Sequence, residues 1–188
     1  VEFRSGWNLV SFSFSSSQAT EVFKSEGITL VGFASDSFDY YPQSIVPGRG
    51  YWTWSAATGS AGVPDAVPND RDSYAIQLET GWNLAGNPFD REIPAENLFI
   101  DGVSAAQSPL VAAGPFEYCS VCYTKESDSF PAGAGFWVKT IGPAEAVFMR
   151  NAESDYFASL EVFMLYQGES AQPDPESGLV ARAYAAGE

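Results

Sequence analysis

The chain contains no histidine. Without an imidazole it cannot build a Ser-His-Asp or Cys-His nucleophile, the commonest zinc sites or c-type haem ligation. Enzyme chemistry would fall to carboxylates, Tyr or Lys alone. Basic residues are also scarce: 9 Lys and Arg stand against 24 Asp and Glu, a net charge of −15. That field repels nucleic acid and anionic membrane surfaces, so neither is an expected partner. No apolar run is long enough to span a bilayer, so no membrane insertion is expected. No stretch has the pattern of a signal peptide, and the chain opens on Val1 rather than Met, which suits a processed secreted protein or an artificially trimmed chain. An acidic, lysine-poor surface suits a salty or calcium-containing exterior.

What remains is ample for folding. Of the 188 residues 45% are hydrophobic and 15% aromatic, which excludes a disordered chain and allows one sizeable domain or two small fused ones. The strongest pattern is internal. "GWNL" occurs at Gly6-Trp7-Asn8-Leu9 and again at Gly81-Trp82-Asn83-Leu84, 75 positions on. At the same offset "TEVFKSEG" (20–27) lies over "AENLFIDG" (95–102). A second anchor, "PGRGYW" with Gly50 and Trp52, matches "AGAGFW" with Gly135 and Trp137, now 85 positions apart. The second copy therefore carries ten extra residues between its anchors. Two ordered anchors point to tandem pseudo-repeat units over 1–72 and 73–151, followed by a strand and tail over 152–188.

The expected fold is mainly β, sandwich- or barrel-like, with short helical turns. Each copy reads as a strand entering a glycine turn at Gly6 or Gly81, a strand through GWNL, and one helical turn ("TEVFKSEG", "AENLFIDG"). A further strand follows ("TLVGFA", "FEYCSVCYT"), and "GYWTWS" or "GFWVKT" closes the unit. The segments "EAVFMRN" and "YFASLEVFMLYQ" add strands after copy two. Trp7, Trp82, Trp52 and Trp137 are expected to be buried and to correspond in pairs. Asn8 and Asn83, short amides beside a glycine, are suited to bonding exposed backbone groups at the turn.

"TGWNLAGNPFD" followed by "PAGAGFWVKT" resembles a module repeated in secreted and cell-surface proteins of bacteria and archaea. There GWNL is followed by a short Asn-Pro or Ser-Leu-Pro stretch and then a Pro-Gly-x-Gly-(Tyr/Phe)-Trp-Val strand. The resemblance covers residues 1 to 142 and implies location and architecture, not a reaction. Copy two follows the pattern through Asn87-Pro88. Copy one has "VSFSFSSSQ" instead, which implies a different path for its loop.

Other residues leave alternatives open. Cys119 and Cys122 are the only cysteines; they suit a local disulfide, two free thiols, or metal binding shared across a subunit interface. Residues three apart on a regular strand face opposite sides, so a disulfide requires the strand to break into a turn. Acidic loops holding Asp36, Asp39, Asp70, Asp72 and Asp128 could take calcium but lack EF-hand spacing, so no cofactor is expected beyond that calcium option. Trp54 aligns with Lys139 of the other copy, which marks an exposed position. With Tyr40, Tyr41 and Tyr51 it could form a sugar-stacking platform or a protein contact.

The tail from Gly168 runs from a Pro-, Glu- and Ser-rich spacer into an apolar segment with Leu179, Val180 and Tyr184. That segment could add as a strand to a neighbouring copy, giving a filament or lattice, or fold back on its own domain. The expected function is a non-enzymatic extracellular or cell-surface structural module: a self-assembling surface-layer, adhesive or filament subunit. Its partners would be copies of itself or other cell-surface proteins. The alternatives are a carbohydrate-binding module that lays aromatics on polysaccharide and a carboxylate-based glycan-active enzyme.

Overall fold

Short runs of β-branched and aromatic residues, punctuated by Gly, Pro, Asn and Asp, give strands almost throughout. The computed structural model describes residues 1–118, 123–125 and 128–151. The amino-terminal part holds β1 (Glu2–Phe3), β2 (Gly6–Ser11) and β3 (Phe14–Ser15), then α1 (Ala19–Ser25). After it come β4 (Thr29–Ala34), β5 (Ser37–Tyr40), β6 (Gly50–Ser55), β7 (Gly59–Ser60) and β8 (Val67–Pro68). Strands β2, β6, β4 and β5, in that order, form an antiparallel sheet, and the short pairs β1–β7 and β3–β8 flank it.

The second part opens with β9 (Ser73–Leu78), β10 (Gly81–Gly86) and β11 (Ile93–Pro94). A 3-10 turn at Ala95–Asn97 leads to β12 (Leu98–Ile100) and β13 (Val103–Ser104). Next are β14 (Val111–Tyr118), β15 (Tyr123–Lys125), β16 (Ser129–Phe130), β17 (Gly135–Thr140) and β18 (Ala144–Met149). Their main sheets are β10-β17-β14-β15 and β13-β12-β18-β9. Among the described residues every sheet is open, so the barrel-like expectation is replaced by a predominantly β fold of separate sheets.

Alternation along each strand decides which side chains reach the core. In β17, Phe136 and Val138 are buried while Lys139 between them and Thr140 is exposed. Phe136 joins Phe89, Phe130, Leu98 and Phe148 in one apolar cluster. Phe3, Phe12, Phe23, Leu30, Ile45 and Tyr51 form the other. Burying one Phe side chain is worth about 1.5–3 kcal/mol, so these clusters dominate the stability of each part.

The parts are joined by main chain. Ser11 N–H donates to the Gly133 carbonyl at 2.8 Å, and Gly86 N–H donates to the Gly48 carbonyl at 3.0 Å. Val10 is bridged to Ala134 and Arg49 to Ala85. The backbones approach so closely that a Cβ on Gly50 would lie 2.4 Å from the Ala85 carbonyl oxygen, and one on Gly135 2.7 Å from that of Val10. Only glycine fits there. Val1–Asn151 accordingly forms one compact unit.

Two local expectations are corrected. "AENLFIDG" is not a helical turn throughout: after the 3-10 turn, Leu98, Phe99 and Ile100 run extended against β18. All three are buried, and a continuous apolar run buried on both sides is better satisfied as a strand. "FEYCSVCYT" is not one strand either, because Phe116–Tyr118 pairs antiparallel with Tyr123–Lys125. Cys119 and Cys122 lie outside the described residues, as do "YFASLEVFMLYQ" and the tail with Leu179, Val180 and Tyr184. Among the described residues no helix is long and apolar enough to cross a membrane.

Candidate functional site: an aromatic face and its cavity

The GWNL motifs explain themselves locally. Gly6 and Gly81 take φ of +86° and +100°, a left-handed bend that L side chains resist. The Asn two residues later ties that bend. Asn8 Nδ2 donates to the Arg4 and Gly6 carbonyls at 2.9 and 3.1 Å. Asn83 Nδ2 donates to the Glu79 and Gly81 carbonyls at 2.8 and 3.1 Å, and its Oδ1 accepts the Glu79 N–H at 2.8 Å.

The tryptophans behave differently from the expectation. Trp7 is 45% and Trp82 39% exposed, and Trp52 and Trp137 are half-buried. The cause is alternation. Phe136 and Val138, or Tyr51 and Thr53, already point into the core, so Trp52, Trp137 and their neighbours stand on the opposite face of each sheet. There they meet one another edge to face: Trp7 against Trp52 at 6.1 Å and 87°, Trp82 against Trp137 at 6.2 Å and 85°.

Those two faces touch across the joint. Trp52 packs on Tyr118 and Phe33 on Trp137, both at 4.8 Å between ring centroids. Beyond these contacts the same faces stay open, exposing Trp54, Phe38 and Tyr40 on one sheet and Tyr123 on the other. Trp7 and Trp54 sit directly opposite in the β2–β6 ladder, and Tyr40 pairs with Val31 on the same face. Of the proposed contact set, Trp54 and Tyr40 are thus surface aromatics. Tyr41 is half-buried with Lys24 Nζ 5.6 Å from its ring centre. Tyr51 is removed from the set: it is 3% exposed, packs on Phe12, and its hydroxyl accepts the Val46 N–H at 3.0 Å. Burial raises the Tyr51 pKa.

Between the sheets, Phe33, Trp82, Phe116, Tyr123 and Trp137 line an open cavity of about 540 Å³, and these described residues show it scarcely a polar atom. Lys139 Nζ lies 5.7 Å from the Trp82 ring centre. Beside Trp82 and Phe33, the Glu79 carboxylate accepts the Ser35 N–H at 3.0 Å, and Asp36 lies against Gly81. Phe33, Phe116 and Tyr123 were not singled out from the sequence. The signal that could have found Phe33 and Phe116 is their position on the Trp52/Trp137 side of the strands adjacent to β6 and β17; Tyr123 lies one strand further out, on β15 opposite Tyr118.

A second cleft, lined in part by Glu96, Glu117 and Asp128, holds the one carboxylate raised in pKa among the described residues. Burial raises Glu117, and its Oε1 has no hydrogen-bond partner. Among the described residues no three His, Cys, Asp or Glu side chains gather as a metal site would require. No protein-family model, curated protein or solved structure matches this chain.

Proposed function

We propose that the chain is a non-enzymatic extracellular or cell-surface assembly module, sandwich-like and built from two copies of one β unit. Its aromatic faces hold further copies of itself or other surface proteins. The two-copy reading is supported by matching registers. Trp7 opposes Trp54 and Leu9 opposes Trp52; Trp82 opposes Lys139 and Leu84 opposes Trp137. Phe3 opposes Gly59 as Leu78 opposes Ala144. The joint is reciprocal in the same way. Phe116 opposes Trp137 as Val31 opposes Trp52, which puts the ten extra residues of copy two between Gly102 and Phe116.

The observation that carries the function is the pair of aromatic faces turned away from their own cores and covered, among the described residues, only where they meet. Soluble monomers rarely leave aromatics so concentrated, and such patches mark interaction sites. Light scattering over a wide concentration range tests it. The chain is expected to associate, and Trp54→Ser with Phe38→Ser to weaken association about tenfold or more. A chain that stays monomeric at high concentration and captures no cell-surface protein sinks the reading.

One observation favours the carbohydrate alternative: Trp7 and Trp54 are adjacent, exposed indoles with Tyr40 on the same face. Retention on insoluble polysaccharide, lost in Trp54→Ala, would move the function there. Hydrolysis of a glycan that Glu117→Gln abolishes would install the carboxylate enzyme instead.

A further inference from the structure

We infer that the cavity between the sheets is an aromatic cage for a quaternary ammonium group. This rests on the proposal that the aromatic faces bind partners, and it names the chemistry that one part of them accepts. Trp82 and Trp137 stand perpendicular at 6.2 Å, and Phe33 closes on Trp137 at 77° and 4.8 Å. Phe116, 6.1 Å from Trp82, and Tyr123 complete the wall. A group seated among these rings is bounded by five aromatic side chains, and a ring face attracts a cation at about 6 Å or less. The volume of about 540 Å³ falls in the range of small-ligand sites.

The walls then select among occupants. The described lining residues offer scarcely a polar atom, so a sugar or a primary ammonium would leave hydroxyls or N–H groups unpaired against them, at a cost. An anion is opposed by the net charge of −15 and by Glu79, which lines a small adjoining pocket together with Trp82 and Phe33. A tetraalkylammonium is charged, has no N–H to satisfy and presents only methyl groups to the rings. Lys139 Nζ, 5.7 Å from the Trp82 ring centre, shows that this indole accepts a cation beside it, and a quaternary ammonium entering the cavity has to displace that lysine from the ring.

The test is a titration of the full chain with choline, ethanolamine and 3,3-dimethyl-1-butanol, the neutral carbon isostere of choline, read by indole NMR signals and tryptophan fluorescence. Choline is expected to saturate with a Kd on the order of 1 mM, and both other probes to bind roughly tenfold more weakly. Trp82→Leu should abolish choline binding, Trp82→Phe should retain part of it, and Val67→Ser, an exposed change elsewhere, should leave it intact. The inference is overturned if choline does not saturate by about 100 mM. It is equally overturned if the neutral isostere binds as tightly as choline, or if Trp82→Leu binds as the parent does. A chain that associates but ignores choline loses only the cage; one that binds choline but never associates loses only the assembly reading.

Discussion

Thr53 lies fully buried in β6, and its hydroxyl has no hydrogen-bond partner. It opposes Asn8 as Val138 opposes Asn83 in the other sheet. Thr53→Val should therefore stabilise the fold by about 1–2 kcal/mol, seen as a higher urea midpoint at unchanged slope. Asn83→Ala should do the reverse, by roughly 1–3 kcal/mol, because the Gly81 carbonyl loses its side-chain donor and the Glu79 N–H its acceptor, while the Glu79 carbonyl keeps the Thr140 hydroxyl. Glu117 gives a pH-dependent case. Burial raises its pKa in the folded state, so the charged form is a liability above that value and none below the unfolded value near 4.5. Glu117→Gln is expected to raise Tm at pH 7, with the gain vanishing at about pH 3.5, where both side chains are neutral. An equal gain at both values would show that charge is not the cause. At this scale the sequence was informative about Asn8 and Asn83, whose role depends only on the neighbouring glycine turn. It was silent on Thr53, whose cost appears only once a core surrounds it.

At the scale of elements, α1 depends on residues far along the chain. Gln18 at its N-cap makes no side-chain cap. Instead the Ser16 hydroxyl accepts the Ala19 N–H at 2.8 Å, and the Asp65 carboxylate accepts the Ser17 N–H at 3.0 Å and the Ser16 and Ser17 hydroxyls. A carboxylate at the exposed N–H groups of a helix start is favourable. The Ser16 hydroxyl foremost, helped by Ser17 and the backbone, holds Asp65 below the usual carboxylate range. A depressed pKa contributes stability above the unfolded value and loses it as pH falls through the lower folded one. Asp65→Asn should thus lower Tm at neutral pH, and the gap to the parent should narrow below about pH 4. A gap that is constant with pH would exclude the ionised cap. Strands such as "GYWTWS" were legible from composition and bounding glycines, and α1 from its terminal Gly27. The helical expectation for "AENLFIDG" failed because partnering with β18 outweighs local propensity. The buried Trp expectation failed because alternation assigns a side chain to a face and does not say what covers that face.

The whole molecule turns on the joint, where glycine spacing was legible as a repeated anchor but its purpose required the other half of the chain. A Cβ on Gly50 would collide with the Ala85 carbonyl. Gly50→Ala should cost on the order of 2–4 kcal/mol in chemical unfolding and spread the aromatic faces, visible as changed indole signals. A near-neutral result would mean that the joint yields without strain. The same joint has a topological consequence. Each half lends main-chain hydrogen bonds to the other, and the connection between them, residues 61–72, keeps the two at high local concentration while it also lays β8 on β3 and Asp65 at the start of α1. Nothing in the hydrogen bonds of Ser11 with Gly133 or Gly86 with Gly48 depends on which molecule supplies the second half. A chain cut between Asp70 and Arg71 should therefore still assemble through the same joint, and mixing cut and intact molecules should exchange the ownership of the halves while the interface is preserved.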